Sequence, residues 1–167
     1  MINQIASFEK VSFEQYKQDC LSIYAHNPDE DILRAEWEAI RLPERATELS
    51  CGYDFFIPRN KYINGQPKVI ASGIRVHIDP GWFLMCVPKS GLGFKYEARL
   101  ANTAGFIDGD YYGSDNEGHI LIKMASECSF DIKGGDKFVQ GVFLPFGITK
   151  DDHATGKRNG GFGSTGA

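Results

Sequence analysis

Asn102-Thr103-Ala104-Gly105-Phe106-Ile107-Asp108-Gly109-Asp110-Tyr111-Tyr112-Gly113 gathers the groups best suited to chemistry. Two carboxylates and two tyrosine rings stand among glycines, in a span too glycine-rich to propagate a helix. The composition predicts a tight hairpin in which Gly105 and Gly109 take positive φ and turn the chain. Such a hairpin holds carboxylates and backbone amides rigidly at a surface. An ordinary polar turn has the same composition, so the meaning of the span rests on the rest of the chain.

Four other stretches each look like part of a site for a small polyanion. Gly161-Phe162-Gly163-Ser164-Thr165-Gly166 matches the spacing G-x-G-x-x-G, but no helix can follow it here, which excludes a dinucleotide fingerprint. What is left is exposed amides, two hydroxyls and one ring, with Lys157 and Arg158 just upstream. These are the parts of a phosphate-binding lid that stacks on a base, or of a disordered terminus. Pro88-Lys89-Ser90-Gly91-Leu92-Gly93 offers a cation, a hydroxyl and open amides without the spacing of a Walker A loop; alone it reads as a turn. Asp54, in Gly52-Tyr53-Asp54, can reach a metal ion, and Gln140, in Gly135-Asp136-Lys137-Phe138-Val139-Gln140, can donate to a phosphate; singly, each is usually structural. Ser114 to His119 lacks EF-hand spacing and is expected to be a solvated loop.

The totals narrow the classes. The chain has 167 residues, 42% hydrophobic and 24% charged, enough for one domain with a real core. A formal net charge of −4 argues against binding the backbone of polymeric nucleic acid, which needs a basic face, but leaves room for a small phosphate ligand held by local cations. Cysteines 20, 51, 86 and 128 have no Cys-x-x-Cys spacing, so neither zinc nor a disulfide framework is indicated. With no signal peptide and no apolar run of roughly 20 residues, a soluble cytoplasmic protein is expected, with no membrane association.

Two textures divide the chain. Residues 1–45 contain no glycine and read as two short helices. Ser12 and Gln15 form a capping-box pattern with Val11 and Tyr16 as a hydrophobic staple, and Phe13, Tyr16, Cys20 and Ile23 share a face. The second helix is expected to start at Asn27-Pro28, to carry Leu33, Trp37 and Ile40 on its apolar stripe, and to end at Pro43. Such stripes pack on their own domain or meet a regulatory protein partner. From Cys51 onward the pattern alternates: Ile74, Val76 and Ile78; Ile120, Ile122 and Met124; Phe130 and Ile132; with Trp82 to Val87 and Phe138 to Phe146 as buried runs. Strands joined by turns without intervening helices predict a mainly β chain, an antiparallel β-sandwich, jelly roll or barrel. The expected organisation is a helical extension at 1–45 packed on a β core at 46–150, with a glycine-rich tail at 151–167.

Taken in order, Gly52-Tyr53-Asp54, Pro88 to Gly93, Asn102 to Gly113, Gly135 to Gln140 and Gly160 to Gly166 resemble the five motifs of the trimeric dUTPase family. The likeness spans roughly residues 46 to 166. Residues 1–45 resemble the helical extension of some bacterial and phage members. The resemblance implies a β-clip jelly-roll subunit, a homotrimer with sites shared between subunits, and Mg²⁺-dependent hydrolysis of dUTP to dUMP and pyrophosphate.

The matching positions imply roles. Asp108 falls where the family places the base that activates the attacking water. Tyr111 matches the ring against deoxyribose, while Asn102 and the backbone around Gly105 and Ile107 read the uracil edge. Lys89, Ser90, Gly91 and Gln140 match phosphate contacts, and Asp54 a carboxylate reaching Mg²⁺ through water. Phe162 matches the ring that stacks on uracil, and Gly163, Ser164 and Thr165 the segment at the γ-phosphate. Three positions depart from the family pattern. Lys89 and Tyr112 stand where arginine is usual, so a point charge replaces a bidentate fork at Lys89. Counted back from Phe162, the usual arginine position holds Lys157, and Arg158 follows it; Arg158 is taken as the phosphate contact. The homologous dCTP deaminases and a nucleotide-gated regulatory protein are the alternative readings. The third motif here lacks the tryptophan and glutamate pattern associated with the deaminases.

Overall fold

The computed structural model describes residues 3–24 and 28–160. In chain order the elements are β1 (Ala6–Lys10), α1 (Phe13–Ile23), α2 (Glu30–Ala39), β2 (Glu44–Arg45), β3 (Gly52–Phe56), β4 (Lys61–Ile63), β5 (Lys68–Ala71), β6 (Ile74–Ile78) and β7 (Trp82–Pro88). There follow α3 (Ser90–Tyr96), β8 (Arg99–Leu100), β9 (Gly105–Ile107), a 3-10 turn (Gly109–Gly113), β10 (Leu121–Ala125), β11 (Phe130–Ile132) and β12 (Lys137–Pro145). Among the described residues all strand pairs are antiparallel. The largest sheet runs in the order β2-β3-β12-β7-β9, and smaller ones pair β1 with β6, β4 with β11, and β10 with β5 and β8. This is the mainly β, antiparallel jelly-roll arrangement that the alternating patterns predict.

The inward residues of β6, β10 and β11 meet those of β7 and β12 in one core, with Leu84, Ile120, Met124, Phe138 and Val139 all at most 1% exposed. The same cluster takes in Val11, Phe13, Tyr16, Cys20, Leu33 and Ile40 from the N-terminal segment, so the apolar stripes of both helices are spent on their own chain. Gly73 marks where that packing is tightest: it has φ +71°, and a Cβ there would lie 2.1 Å from Ile40 Cδ1.

The N-terminal segment differs from expectation in three ways. It opens with a strand, β1, paired with β6 in register Phe8↔Val76. The capping box at α1 is only half formed: Gln15 N–H donates to Ser12 Oγ at 3.1 Å, but Ser12 N–H donates to Glu117 Oε2 at 2.8 Å and Gln15 Nε2 turns to Asp19. A carboxylate from a distant loop thus occupies the place that a capping glutamine would take. The start of α2 is later than Asn27-Pro28; Asp29 is the N-cap, its side chain accepting from Asp31 N–H at 2.8 Å, and Asn27 lies outside the described residues.

Two further local expectations are corrected. Pro88 to Gly93 is not a simple turn, because Ser90 begins α3, which closes through Glu97 in the left-handed conformation. Ser114 to His119 is not a solvated loop either: Ser114 and His119 are buried beneath α1.

Candidate active site

The chain turns at Asn102-Thr103, where a Leu100↔Thr103 bridge closes the loop and Thr103 takes φ +69°. The expected hairpin therefore pivots on Thr103, and neither Gly105 nor Gly109 has positive φ. Of these, Gly109 serves close approach, whereas Gly105 leaves a Cβ ordinary room. A Cβ on Gly105 would meet Cys86 Cβ at 3.4 Å as β9 pairs with β7, and one on Gly109 would meet the Ile78 carbonyl at 3.3 Å. With β9 fixed on β7, the chain enters the 3-10 turn with Asp108 as its N-cap residue.

This geometry creates a cleft of about 290 Å³ lined by Asn102, Ala104, Phe106, Ile107, Tyr111, Ile120, Leu121 and Arg158. Tyr111 is buried. Its hydroxyl donates to the His119 carbonyl at 2.8 Å and accepts from Asn116 Nδ2 at 2.8 Å. Burial pushes that hydroxyl up from its ordinary pKa, so it remains a neutral donor. Gly118 is required below it: at φ +73°, a Cβ would lie 2.7 Å from the Tyr111 carbonyl.

Asp108 stands at the rim, half exposed, and accepts from Arg158 Nη2 at 2.5 Å. Arg158 Nε lies 3.0 Å from Asp110 Oδ1, and the guanidinium is 5.8 Å from the Tyr111 ring. Asp115 N–H donates to the Asn159 carbonyl at 3.2 Å, which ties the tail beside the cleft. Of the two tail cations, Arg158 is the one turned into the cleft, while Lys157 is exposed.

A second cluster lies across the large sheet. Asp54 on β3 is 1% exposed; Lys89 Nζ donates to its Oδ1, and Lys137 Nζ is 2.8 Å from Oδ2 without being aimed at it as a donor. Burial opposes ionisation of this carboxyl, but the Lys137 and Lys89 ammonium groups outweigh it and hold the pKa below the ordinary value. Gln140 is opposite Asp54 in register, and its Oε1 would lie 3.1 Å from a Cβ on Gly52, so a side chain there would push the Gln140 amide aside. Ser90 and Gly91 open α3 beside Lys89, both exposed. One carboxylate between two ammonium groups leaves a net positive locus suited to an anion.

The sequence-predicted residues thus fall into two groups. Asn102, Gly105, Ile107, Asp108, Tyr111 and Arg158 gather at the cleft; Asp54, Lys89, Ser90, Gly91 and Gln140 gather near the β3, β12 and β7 ends. Two strand spacings, roughly 10 Å, separate β12 from β9, and among the described residues no hydrogen bond or ion pair joins the clusters. Phe162, Gly163, Ser164 and Thr165 lie outside the described residues. Sequence reasoning missed Lys137, which a bulge between Lys137 and Val139 brings to Asp54, and the pairing of Arg158 with Asp108 and Asp110. It also missed His119, whose partners are distant in sequence. At Tyr112, where a family arginine is usual, the hydroxyl donates to Glu9 and the ring carries Arg75 at 3.6 Å, so the cation arrives from β6.

Comparisons with known proteins identify the family. The family model described as dUTPase matches residues 38–166. The chain is 38% identical over 134 residues to the deoxyuridine 5'-triphosphate nucleotidohydrolase of Lactococcus lactis, covering 77% of this chain and 89% of that protein. It is 34% identical over 136 residues to the Escherichia coli protein of the same name, covering 75% and 87%. The dUTPase of Streptococcus mutans superposes with a TM-score of 0.62 at 28% identity, covering 86% of this chain and 98% of that one. A mutant dUTPase from phage phi11 of S. aureus, whose structure details the coordination of a structural Mg(II) ion, shares the fold with a TM-score of 0.58 at 20% identity over 70% of this chain and 90% of its own. With the family model matched over residues 38–166 and relatives at 38% and 34% identity covered along most of their length, this chain belongs to the dUTPase family.

Proposed function

We propose that this chain hydrolyses dUTP to dUMP and pyrophosphate by attack of water on the α-phosphorus, as a homotrimer whose sites join the cleft of one copy to the Lys89–Gln140 cluster of another. The observation that carries this is the cleft itself. It is sized for a pyrimidine nucleoside, polar at Asn102, closed below by Tyr111, and flanked by one carboxylate and one guanidinium. Asn102 and the backbone at Gly105 and Ile107 present donors and acceptors to the uracil edge. The buried Tyr111 ring takes the space a ribose 2′-hydroxyl needs, so refusal of the ribose form rests on steric exclusion that a rigidly held ring enforces.

Asp108 accepts the proton of the attacking water. Its backbone is fixed between β9 and the 3-10 turn, and positioned general-base help is worth about 10²–10⁴ in rate. Arg158 leaves Asp108 for phosphate oxygens when the triphosphate enters, which frees the carboxylate for that task. Lys89, Ser90, Gly91 and Gln140 hold the phosphate chain from the neighbouring copy, and Phe162, Gly163, Ser164 and Thr165 complete the closed site. Among the described residues no three His, Cys, Asp or Glu side chains group as a metal cage. A Mg²⁺ ion carried by the triphosphate would keep most of its waters, and one of these would reach Asp54 only where Lys137, 2.8 Å from Oδ2, gives way. When bound, the ion would neutralise charge on the phosphates.

Asp108→Asn tests the reading. It is expected to bind dUTP as the wild type does and to lose turnover by about 10²–10⁴; turnover near the wild-type rate would contradict it.

A further inference from the structure

The family match begins at residue 38, yet a carboxylate from α1, upstream of it, is linked through His119 to the wall of the cleft. Tyr111 lines that wall, with its hydroxyl seated on the His119 carbonyl at 2.8 Å. The His119 ring is fully buried and held at both nitrogens. Gly73 N–H donates to Nε2 at 2.8 Å, which leaves the ring proton on Nδ1. Nδ1–H then donates to Asp19 Oδ2 at 2.5 Å, and Gln15 Nε2 donates to the same oxygen at 2.9 Å. Asn116 closes the loop, donating to the Tyr111 hydroxyl while its carbonyl accepts from His119 N–H at 3.0 Å.

A buried Nδ1–H with no acceptor is costly. Without the Asp19 carboxylate the imidazole must turn, shift its proton and lose the Gly73 bond, or admit water. Each response loosens residues 116–120, the segment that carries the carbonyl under Tyr111. We infer that Asp19 is a positioning residue for the nucleotide cleft. Through His119 it fixes the Tyr111 ring, and with it the strictness with which a ribose 2′-hydroxyl is refused. The consequence for sugar selection rests on the dUTP reading above; the link from Asp19 to Tyr111 rests on geometry alone.

The test compares the full-length wild type with Asp19→Ala, Asp19→Asn and Glu36→Ala. Asparagine keeps an acceptor oxygen for His119. Glu36 accepts from Arg59 and makes no hydrogen bond to this network, so its removal loosens the hold of α2 on the β core and leaves the hydrogen bonds of His119 in place. Two readouts are taken: the ratio of kcat/KM for dUTP over UTP from pyrophosphate release, and the ring resonance of Tyr111 in protein carrying isotope-labelled tyrosine, assigned with Tyr111→Phe. Asp19→Ala is expected to lower the ratio about five- to tenfold, the effect of roughly one net hydrogen bond, and to shift the Tyr111 resonance. Asp19→Asn should restore both towards wild type, and Glu36→Ala should change neither. An Asp19→Ala protein with unchanged ratio and resonance overturns the inference, as does Glu36→Ala reproducing both changes. A shifted resonance in a protein whose wild type does not hydrolyse dUTP supports the Asp19 link while removing the functional reading. If Asp19→Ala does not fold, Asp19→Leu, close in size and without an acceptor, takes its place in the same comparison.

Discussion

Arg158 Nη2 lies 2.5 Å from Asp108 Oδ2, so the tail guanidinium rests on the carboxylate that stands at the rim of the cleft. The ion pair balances the charge of Asp108 and holds a guanidinium able to bind phosphate beside it. It also separates the two tail cations. Arg158→Ala is expected to lower kcat/KM for dUTP about 10- to 100-fold, the loss of roughly one charge-assisted hydrogen bond, whereas Lys157→Ala stays within about twofold because an exposed lysine contributes little. Steady-state kinetics on both variants checks this, and the reverse order would move the phosphate contact to Lys157.

Shared sites make a sharper demand. Lys89→Ala and Asp108→Asn proteins are each expected to be nearly inactive alone, since one lacks a phosphate contact and the other the base. Unfolding and refolding them together should recover activity, because a mixed trimer contains sites that take Asp108 from one chain and Lys89 from the other. Pyrophosphate release that remains at the parental level after mixing would place both clusters in one chain's site.

The docking of α1 is titratable. Glu117 accepts from Ser12 N–H at 2.8 Å and from Ser12 Oγ at 2.6 Å. Burial acts against its charge, but the Ser12 bonds and the nearby Arg75 outweigh that and set its pKa below the ordinary value. A carboxylate lowered on folding stabilises the native state above its unfolded pKa of about 4.3 and loses that contribution as pH falls through the lower folded value. Glu117→Gln should therefore melt below the wild type at pH 7, with the gap closing beneath about pH 4. A gap that stays constant across that range would mean the charge is not what docks the helix.

Gly118 carries the floor of the cleft. Alanine there must adopt φ +73° with its Cβ 2.7 Å from the Tyr111 carbonyl. Gly118→Ala should cost about 2–3 kcal/mol, from left-handed strain plus the backbone clash, measured by urea unfolding. Gly113→Ala, where a Cβ meets nothing within 4 Å, should cost far less.

Much of the β framework was legible because alternation is a local signal: Ile74, Val76 and Ile78, or Ile120, Ile122 and Met124, point to a strand without knowing its partner. β1 escaped because Ala6 and Phe8 offer too little apolar contrast and the strand exists only by pairing with β6. α3 escaped because Gly91 and Gly93 argue against a helix, which the half-buried Leu92 and Tyr96 anchor to the core. The composition of the third motif suggests positive-φ turn glycines, whereas neither Gly105 nor Gly109 has positive φ and Gly109 instead passes tightly over the Ile78 carbonyl. His119 lay in a polar run that resembles a loop; Asp19, Gly73 and Tyr16 bury it, and no local pattern shows partners so far away.

The most direct test of dUTP hydrolysis is to incubate the protein with Mg²⁺ and dUTP, dCTP, dTTP or UTP, following pyrophosphate and ammonia together. The account predicts rapid pyrophosphate release from dUTP, little from dTTP and UTP, and no ammonia from dCTP. Ammonia from dCTP, or pyrophosphate from UTP as fast as from dUTP, would contradict it.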